Sequence, residues 1–226
     1  MLPLSKFGQV RYISYNSIRT WYANLVKPKP KEPPYEHVVQ IGDPLLRTVS
    51  EVVPPDLIKS KEIQFLIKRL KYTFDKYNCV GLSAPQIGLS FQIFIAEFSK
   101  KHANSYSEKE FRNKEMTIQP QQVIINPEIK ILDYSKVVFP ESCESVKGYY
   151  AEVPRYQAIE LKGRDENGAE ISFKAHGWWA RIIQHELDHL NGRLYTDIMK
   201  AKTLTCCCWD AVNERGGKVI LSFNAD

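Results

Sequence analysis

Short β-type runs bounded by turn residues, two strongly amphipathic helical stretches and the absence of any internal repeat predict one α+β domain. About 190 residues follow a proline-rich linker at residues 27–34, enough to bury a core. Residues 56–77 place Ile63, Leu66, Ile67, Leu70 and Phe74 at helical spacing, so one face packs inward. Residues 91–98, 123–125, 137–139, 158–161 and 171–173 read as strands, with Asn167-Gly168 as a hairpin turn. Between them, the polar and charged residues 99–120 read as a long exposed loop. A second helix carries Trp178, Ile182, His185 and His189 on one stripe and stops near Gly192. A last strand is expected at 219–223, after Gly216-Gly217.

The second helix also carries chemistry. Gln184 to His189 reads Gln-His-Glu-Leu-Asp-His, and residues four apart share a helix face, so His185 and His189 can direct ring nitrogens at one ion. Glu186 sits one position round and can reach a metal-bound water. Such a match also arises by chance on polar helices, but here the histidines share their stripe with large apolar residues and so face a core or pocket. About forty residues earlier, Cys143 in Phe-Pro-Glu-Ser-Cys-Glu-Ser offers a third ligand. Two neutral imidazoles and a thiolate leave a divalent cation near net charge plus one with an open position, the mark of a catalytic rather than a structural site. This donor set suits Fe2+ or Zn2+, and also Co2+ or Ni2+.

A third stretch runs from Cys79 to Gly88, Cys-Val-Gly-Leu-Ser-Ala-Pro-Gln-Ile-Gly, where glycines and small residues permit close backbone approach around the one amide side chain, Gln86. With the three stretches in this order, residues 37–199 resemble the peptide deformylases, and Gly-Leu-Ser-Ala-Pro-Gln with Cys-Glu-Ser is more similar to the mitochondrial branch than to the bacterial one. The resemblance implies small antiparallel or mixed sheets packed around a central metal-binding helix. It also implies hydrolytic removal of the formyl group from N-formylmethionine on newly made mitochondrial proteins. By the same resemblance, water is activated at the metal, Glu186 takes and returns its proton, and Gln86 with the backbone N–H of Glu144 stabilises charge on the carbonyl oxygen. The methionine side chain is expected beside Val80, Gly81, Trp178 and Ile182, Arg155 is expected to pair with Asp188, and Glu141 to orient a ligand or loop.

Three departures accompany the match. Ser142 stands where the family has glycine, and a side chain there costs about 1 kcal/mol if the backbone needs positive φ. Tyr150 takes the place of a bacterial arginine, and Cys79 that of the first loop glycine. Two competing readings stand beside the deformylase: an inactive deformylase-like binding protein, favoured by Ser142, and a zincin-type endopeptidase, in which the third ligand would follow the helix.

Composition bears on compartment and partners. Residues 1–31 hold six Lys or Arg, four Ser or Thr and no acid, and Arg11, Ile13, Ile18, Arg19, Trp21 and Tyr22 can line a basic amphipathic helix. Residues 1–34 are therefore expected to be a mitochondrial transit peptide and linker, and 35–226 the catalytic domain in the matrix. The formal charge of +5 belongs to that leader, since the rest has 25 basic against 26 acidic residues, so charge gives a nucleic-acid partner no support. The leader's apolar run is too short for a membrane span. Expected partners are N-formylmethionyl nascent peptides and, transiently, the mitoribosome; a homodimer is an open expectation. The five cysteines form no disulfide pattern, and Cys206, Cys207 and Cys208 read as a buried or half-buried strand whose neighbours point to opposite faces.

Overall fold

The computed structural model describes residues 31–225. Most of the expected transit segment, residues 1–30, lies outside the described residues. Helix α1, Lys61–Tyr77, starts where Ser60 Oγ accepts from the Ile63 N–H at 3.3 Å and ends at Asn78, whose φ of 51° closes the last turn. Its stripe of Ile63, Leu66, Ile67, Leu70 and Phe74 is buried, each large apolar side chain contributing roughly 1.5–3 kcal/mol.

Strands β1 (Gly81–Ser83), β2 (Ile93–Phe98), β3 (Gln119–Ser142), β4 (Tyr149–Arg164) and β5 (Glu170–His176) lie side by side in that order, every pair antiparallel. A sixth strand, β6 (Thr205–Cys206), pairs with β4 at Tyr149 and Tyr150. The expected runs 123–125 and 137–139 are two parts of the single strand β3. Register shifts between Ile125 and Glu128, Ile131 and Asp133, and Asp133 and Lys136 break the alternation that would have joined them in the sequence.

The all-apolar run of β2 is explained by burial on both faces. Ile93 and Ile95 join the cluster under α1, while Phe94, Ala96 and Phe98 join a second cluster with Trp178, Ile182 and Ile183. These last residues belong to helix α4, Gly177–Leu190, which packs against β4, β1 and β2. The sheet is thus the middle layer between α1 and α4. Gly192 ends the approach of α4 with φ 68°, where a Cβ would lie 2.8 Å from the Arg47 carbonyl. Between β4 and β5, Asp165 Oδ1 accepts from the N–H groups of Asn167 and Ala169 and Gly168 takes φ 81°, the tight connection expected there.

Three expectations are corrected. Residues 99–120 hold two short helices, α2 (Lys100–Ala103) and α3 (Glu108–Asn113), each opened by a serine: Ser99 caps His102 and Ser107 caps Glu110. Met116 behind them is buried, but most of the segment is exposed as expected, so the correction is from loop to helix. The cysteine triplet is no strand. Only Cys206 lies in β6, Cys207 is exposed, and Cys208 precedes helix α5, Trp209–Glu214. Residues 219–223 form no strand, Ile220 being exposed without a sheet edge to join. Among the described residues no helix is long and apolar enough to cross a membrane.

Candidate metal centre

The centre forms where the end of β3 meets α4. Successive residues of a strand point to opposite faces, so Glu141 and Cys143 point inward and are buried while Ser142 between them is exposed. Ser142 pairs with Tyr150 in the β3–β4 ladder and is not among the residues with positive φ. The backbone cost attached to this departure is therefore absent.

Cys143 Sγ lies 3.2 Å from His189 Nε2, and His185 Nδ1 bonds Glu141 Oε2 at 3.0 Å, while His185 also faces the Cys143 thiol. One donor atom from each of Cys143, His185 and His189 falls within 4.8 Å of the others. An ion with bonds of roughly 2.0–2.3 Å closes such a triangle with small side-chain movements. The bond from His185 to a carboxylate fixes ring and tautomer, the support that metal-binding imidazoles commonly carry. The donor set thus fits a single divalent cation.

Glu141 organises the layer behind the histidines. Its carboxylate accepts from Arg155 Nε at 3.0 Å and Nη2 at 2.9 Å, from Arg181 Nη1 at 2.5 Å and from His185. Burial alone would push its pKa up, but the His185 hydrogen bond and the Arg155 guanidinium outweigh this and hold the carboxyl well below the usual range. Arg155 also bonds Asp188, so the expected pair is present within a larger network. Arg181 was missed by the sequence reading. It donates to the carbonyls of Val137 and Val153 besides Glu141, and tethers α4 to both long strands. Its signal was an arginine one turn before His185, within a stretch that is otherwise apolar.

On the opposite wall, Gln86 sits in a 3-10 turn, Ala84–Ile87. Its Oε1 accepts from the N–H of Ser83 at 2.8 Å and from Ser83 Oγ at 3.0 Å, while Nε2 donates to Ser145 Oγ at 3.1 Å and toward Cys143 Sγ at 3.6 Å. The amide is therefore held with its donor side toward the cluster. Glu144 opens another 3-10 turn, Glu144–Val146, and a leading N–H has no partner within such a turn. Glu186 is 2% exposed, with Oε2 buried and unpartnered, and burial pushes its pKa up to about 7. Gly81 explains how this acid fits. A Cβ at Gly81 would lie 2.2 Å from Glu186 Oε1, so only glycine lets the carboxyl in.

These groups open on one cavity of about 420 Å³, lined by Val80, Gly81, Gln86, Cys143, Trp178, Ile182, His185 and Glu186. Cys79 also lines it, and burial followed by the charges of Glu144 and Glu186 pushes its thiol pKa up, so it stays protonated. Cys143, His185 and His189 cluster beside the cavity that Val80, Gly81, Gln86, Glu144, Trp178, Ile182 and Glu186 line; Glu141, Arg155 and Asp188 are bonded to one another behind it, and Arg181, Ser83 and Ser145 join these groups.

An α+β fold whose Cys-His-His cluster faces a cavity, with a buried acid and a fixed amide donor beside it, defines a mononuclear metal-dependent hydrolase. Residues 35–204 match the family model of polypeptide deformylase, and the chain belongs to that family. The human mitochondrial peptide deformylase is 42% identical over 82% of this chain and 76% of its own length. The Acinetobacter baumannii class I type b peptide deformylase bound to Met-Ala-Ser is similar in structure with a TM-score of 0.63, at 26% identity over 72% of this chain and 96% of that one. The Synechococcus elongatus peptide deformylase in complex with actinonin gives a TM-score of 0.61, at 29% identity over 85% and 92%.

Proposed function

We propose that this chain is a mitochondrial peptide deformylase that hydrolyses the formyl group from N-formylmethionyl nascent peptides in the matrix, with Cys143, His185 and His189 holding one Fe2+ or Zn2+ ion, or Co2+ or Ni2+ in their place. The observation that carries the reading is the opening of this donor cluster, beside Glu186 and Gln86, onto a cavity walled by Val80, Trp178 and Ile182. When bound, the ion lowers the pKa of a coordinated water toward neutrality.

The chain's own groups do the rest. Glu186 Oε2, without a partner and with its pKa raised by burial to about 7, takes the water proton and returns it to the departing amine. Gln86 Nε2, held beside Cys143 by Ser83 and Ser145, and the Glu144 N–H donate to the carbonyl oxygen as charge builds on it. The apolar wall takes the unbranched methionine side chain. Glu141 holds His185 in one tautomer, and Arg155 with Arg181 holds Glu141. The matrix location rests on the basic, acid-free leader and on the likeness to a mitochondrial relative. The domain is taken to run from residue 35.

Two measurements test this. Protein reconstituted without oxygen with Fe2+ or Co2+ should release formate from formyl-Met-Ala-Ser, and Glu186→Gln should keep the metal while losing turnover. A Glu186→Gln variant with near wild-type kcat sinks the assigned mechanism. Residues 1–30 fused to a fluorescent reporter should carry it into mitochondria, and a cytosolic reporter rules the leader out.

A further inference from the structure

One side of the cavity carries hydrogen-bond donors that a methionine thioether does not match. Lys114, just after α3, lines it with Tyr106 and Trp178. Its Nζ lies 4.7 Å from the ring centroids of both Tyr106 and Trp178 and 5.8 Å from that of Phe139, so three aromatic faces hold the ammonium in place. Among the described residues this Nζ forms no hydrogen bond or ion pair. Partial burial lowers its pKa from the ordinary lysine value, and the charge of Glu110 offsets this in part. Trp178 repeats the pattern, since its Nε1 is buried with no acceptor. Glu110 reaches Lys114 only through its charge, so this wall carries two donors, neither of them bonded to an acceptor.

A thioether sulfur is a weak acceptor and leaves both donors unmatched. Oxidised methionine differs there by one oxygen, which is a strong acceptor. In a slot with apolar walls alone, a buried unmatched acceptor would lower kcat/KM roughly 5- to 150-fold. Here the acceptor would meet an ammonium and an indole N–H.

We propose that the substrate class extends to peptides beginning with N-formyl-methionine sulfoxide, whose sulfoxide oxygen accepts from Lys114 Nζ and Trp178 Nε1. The inference rests on the deformylase reading and deepens it. The chemical step is unchanged: water's hydroxyl joins the formyl carbon as the C–N bond breaks, its proton goes to the peptide nitrogen, and formate leaves. The sulfur keeps its oxidation state, so no reductant is needed. Because the sulfoxide is chiral and the donors are fixed, one epimer should be preferred.

The experiment compares kcat/KM for formyl-Met-Ala-Ser with that for each sulfoxide epimer, using the cobalt-loaded wild type, Lys114→Met, which keeps a long unbranched stem over the rings, and Lys114→Arg, which keeps a donor. The wild type should take one epimer within about tenfold of the thioether. In Lys114→Met the ratio of sulfoxide to thioether should fall about tenfold and the epimer preference should shrink, while Lys114→Arg keeps most of both. Calorimetry with the products Met-Ala-Ser and Met(O)-Ala-Ser should show the same ordering in binding, independent of turnover. The inference is overturned if the wild type rejects both epimers by more than about a hundredfold, or if the ratio is the same in wild type and Lys114→Met. Failure of the wild type on formyl-Met-Ala-Ser itself would instead remove the deformylase reading on which the inference stands.

Discussion

Gly81→Ala is the sharpest perturbation the centre offers. The added methyl would sit 2.2 Å from Glu186 Oε1, 2.7 Å from Cδ and 2.9 Å from Cγ, so the whole end of the side chain must retreat rather than one flexible tip. Ordinary contact between a carbon and its neighbours begins near 3.5 Å, which sets the displacement of the carboxyl at about 1 Å or more. A misplacement of that size costs a positioned catalytic group roughly 10²-fold, or about 2.7 kcal/mol of barrier. The loss should fall on kcat, because the three atoms nearest the added methyl all belong to Glu186, and the metal content should remain one per chain. Steady-state hydrolysis of formyl-Met-Ala-Ser, with elemental analysis on the same sample, measures both quantities. Activity within twofold of wild type would refute the placement of Glu186 against the glycine. Loss of the metal would show that the methyl acts on the cluster instead.

Removing a ligand should act in the opposite sense. Cys143→Ala or His185→Ala should release the ion, and full retention in either variant removes that residue from the coordination sphere. Glu141→Ala strands the guanidinium groups of Arg155 and Arg181 in a buried site, so it should cost roughly 3–5 kcal/mol in denaturant unfolding, far more than a surface pair. A loss below about 1 kcal/mol would mean that water already screens the network. Ser142→Gly should change activity by less than about twofold, since the serine lies in an ordinary strand conformation and about 0.4 kcal/mol covers that range; restoration of hydrolysis to an inactive wild type would show that the side chain acts as a brake.

What could be read in advance follows from how local each signal is. His185 and His189 are one helical turn apart, and Gln86 sits within a short glycine-rich stretch, so spacing alone brings each to a single element. The packing stripes of α1 and α4 were legible for the same reason. The Glu141 network was not, because Arg155, Arg181 and His185 reach Glu141 across 14, 40 and 44 positions of sequence. Only the β3–β4 ladder and the docking of α4 bring them together. Two misses had a signal that polarity hid. Ser99 and Ser107 each stand three residues before a side chain that bonds back to their own N–H, a helix-start pattern inside a stretch whose charge suggested loop. The cysteine triplet resembled a strand by hydrophobicity, but β4 offers only Tyr149 and Tyr150 as partners there, and the chain turns into α5 after two residues.

Because Glu141 lies in β3 and Cys143 continues it in extended backbone two residues on, one slip of β3 against β4 would turn both away from the histidines at once. The centre is thus a reporter of strand register. It also closes late: Cys143 and His189 are separated by 46 positions, so a chain leaving the ribosome cannot complete the triangle until α4 has emerged and docked. Any ion that binds only the closed form adds RT ln(1 + [M]/Kd) to the stability of the folded state. Metal supply would then set the lifetime of the mature fold as well as its activity, and chelation should speed unfolding from the α4 end.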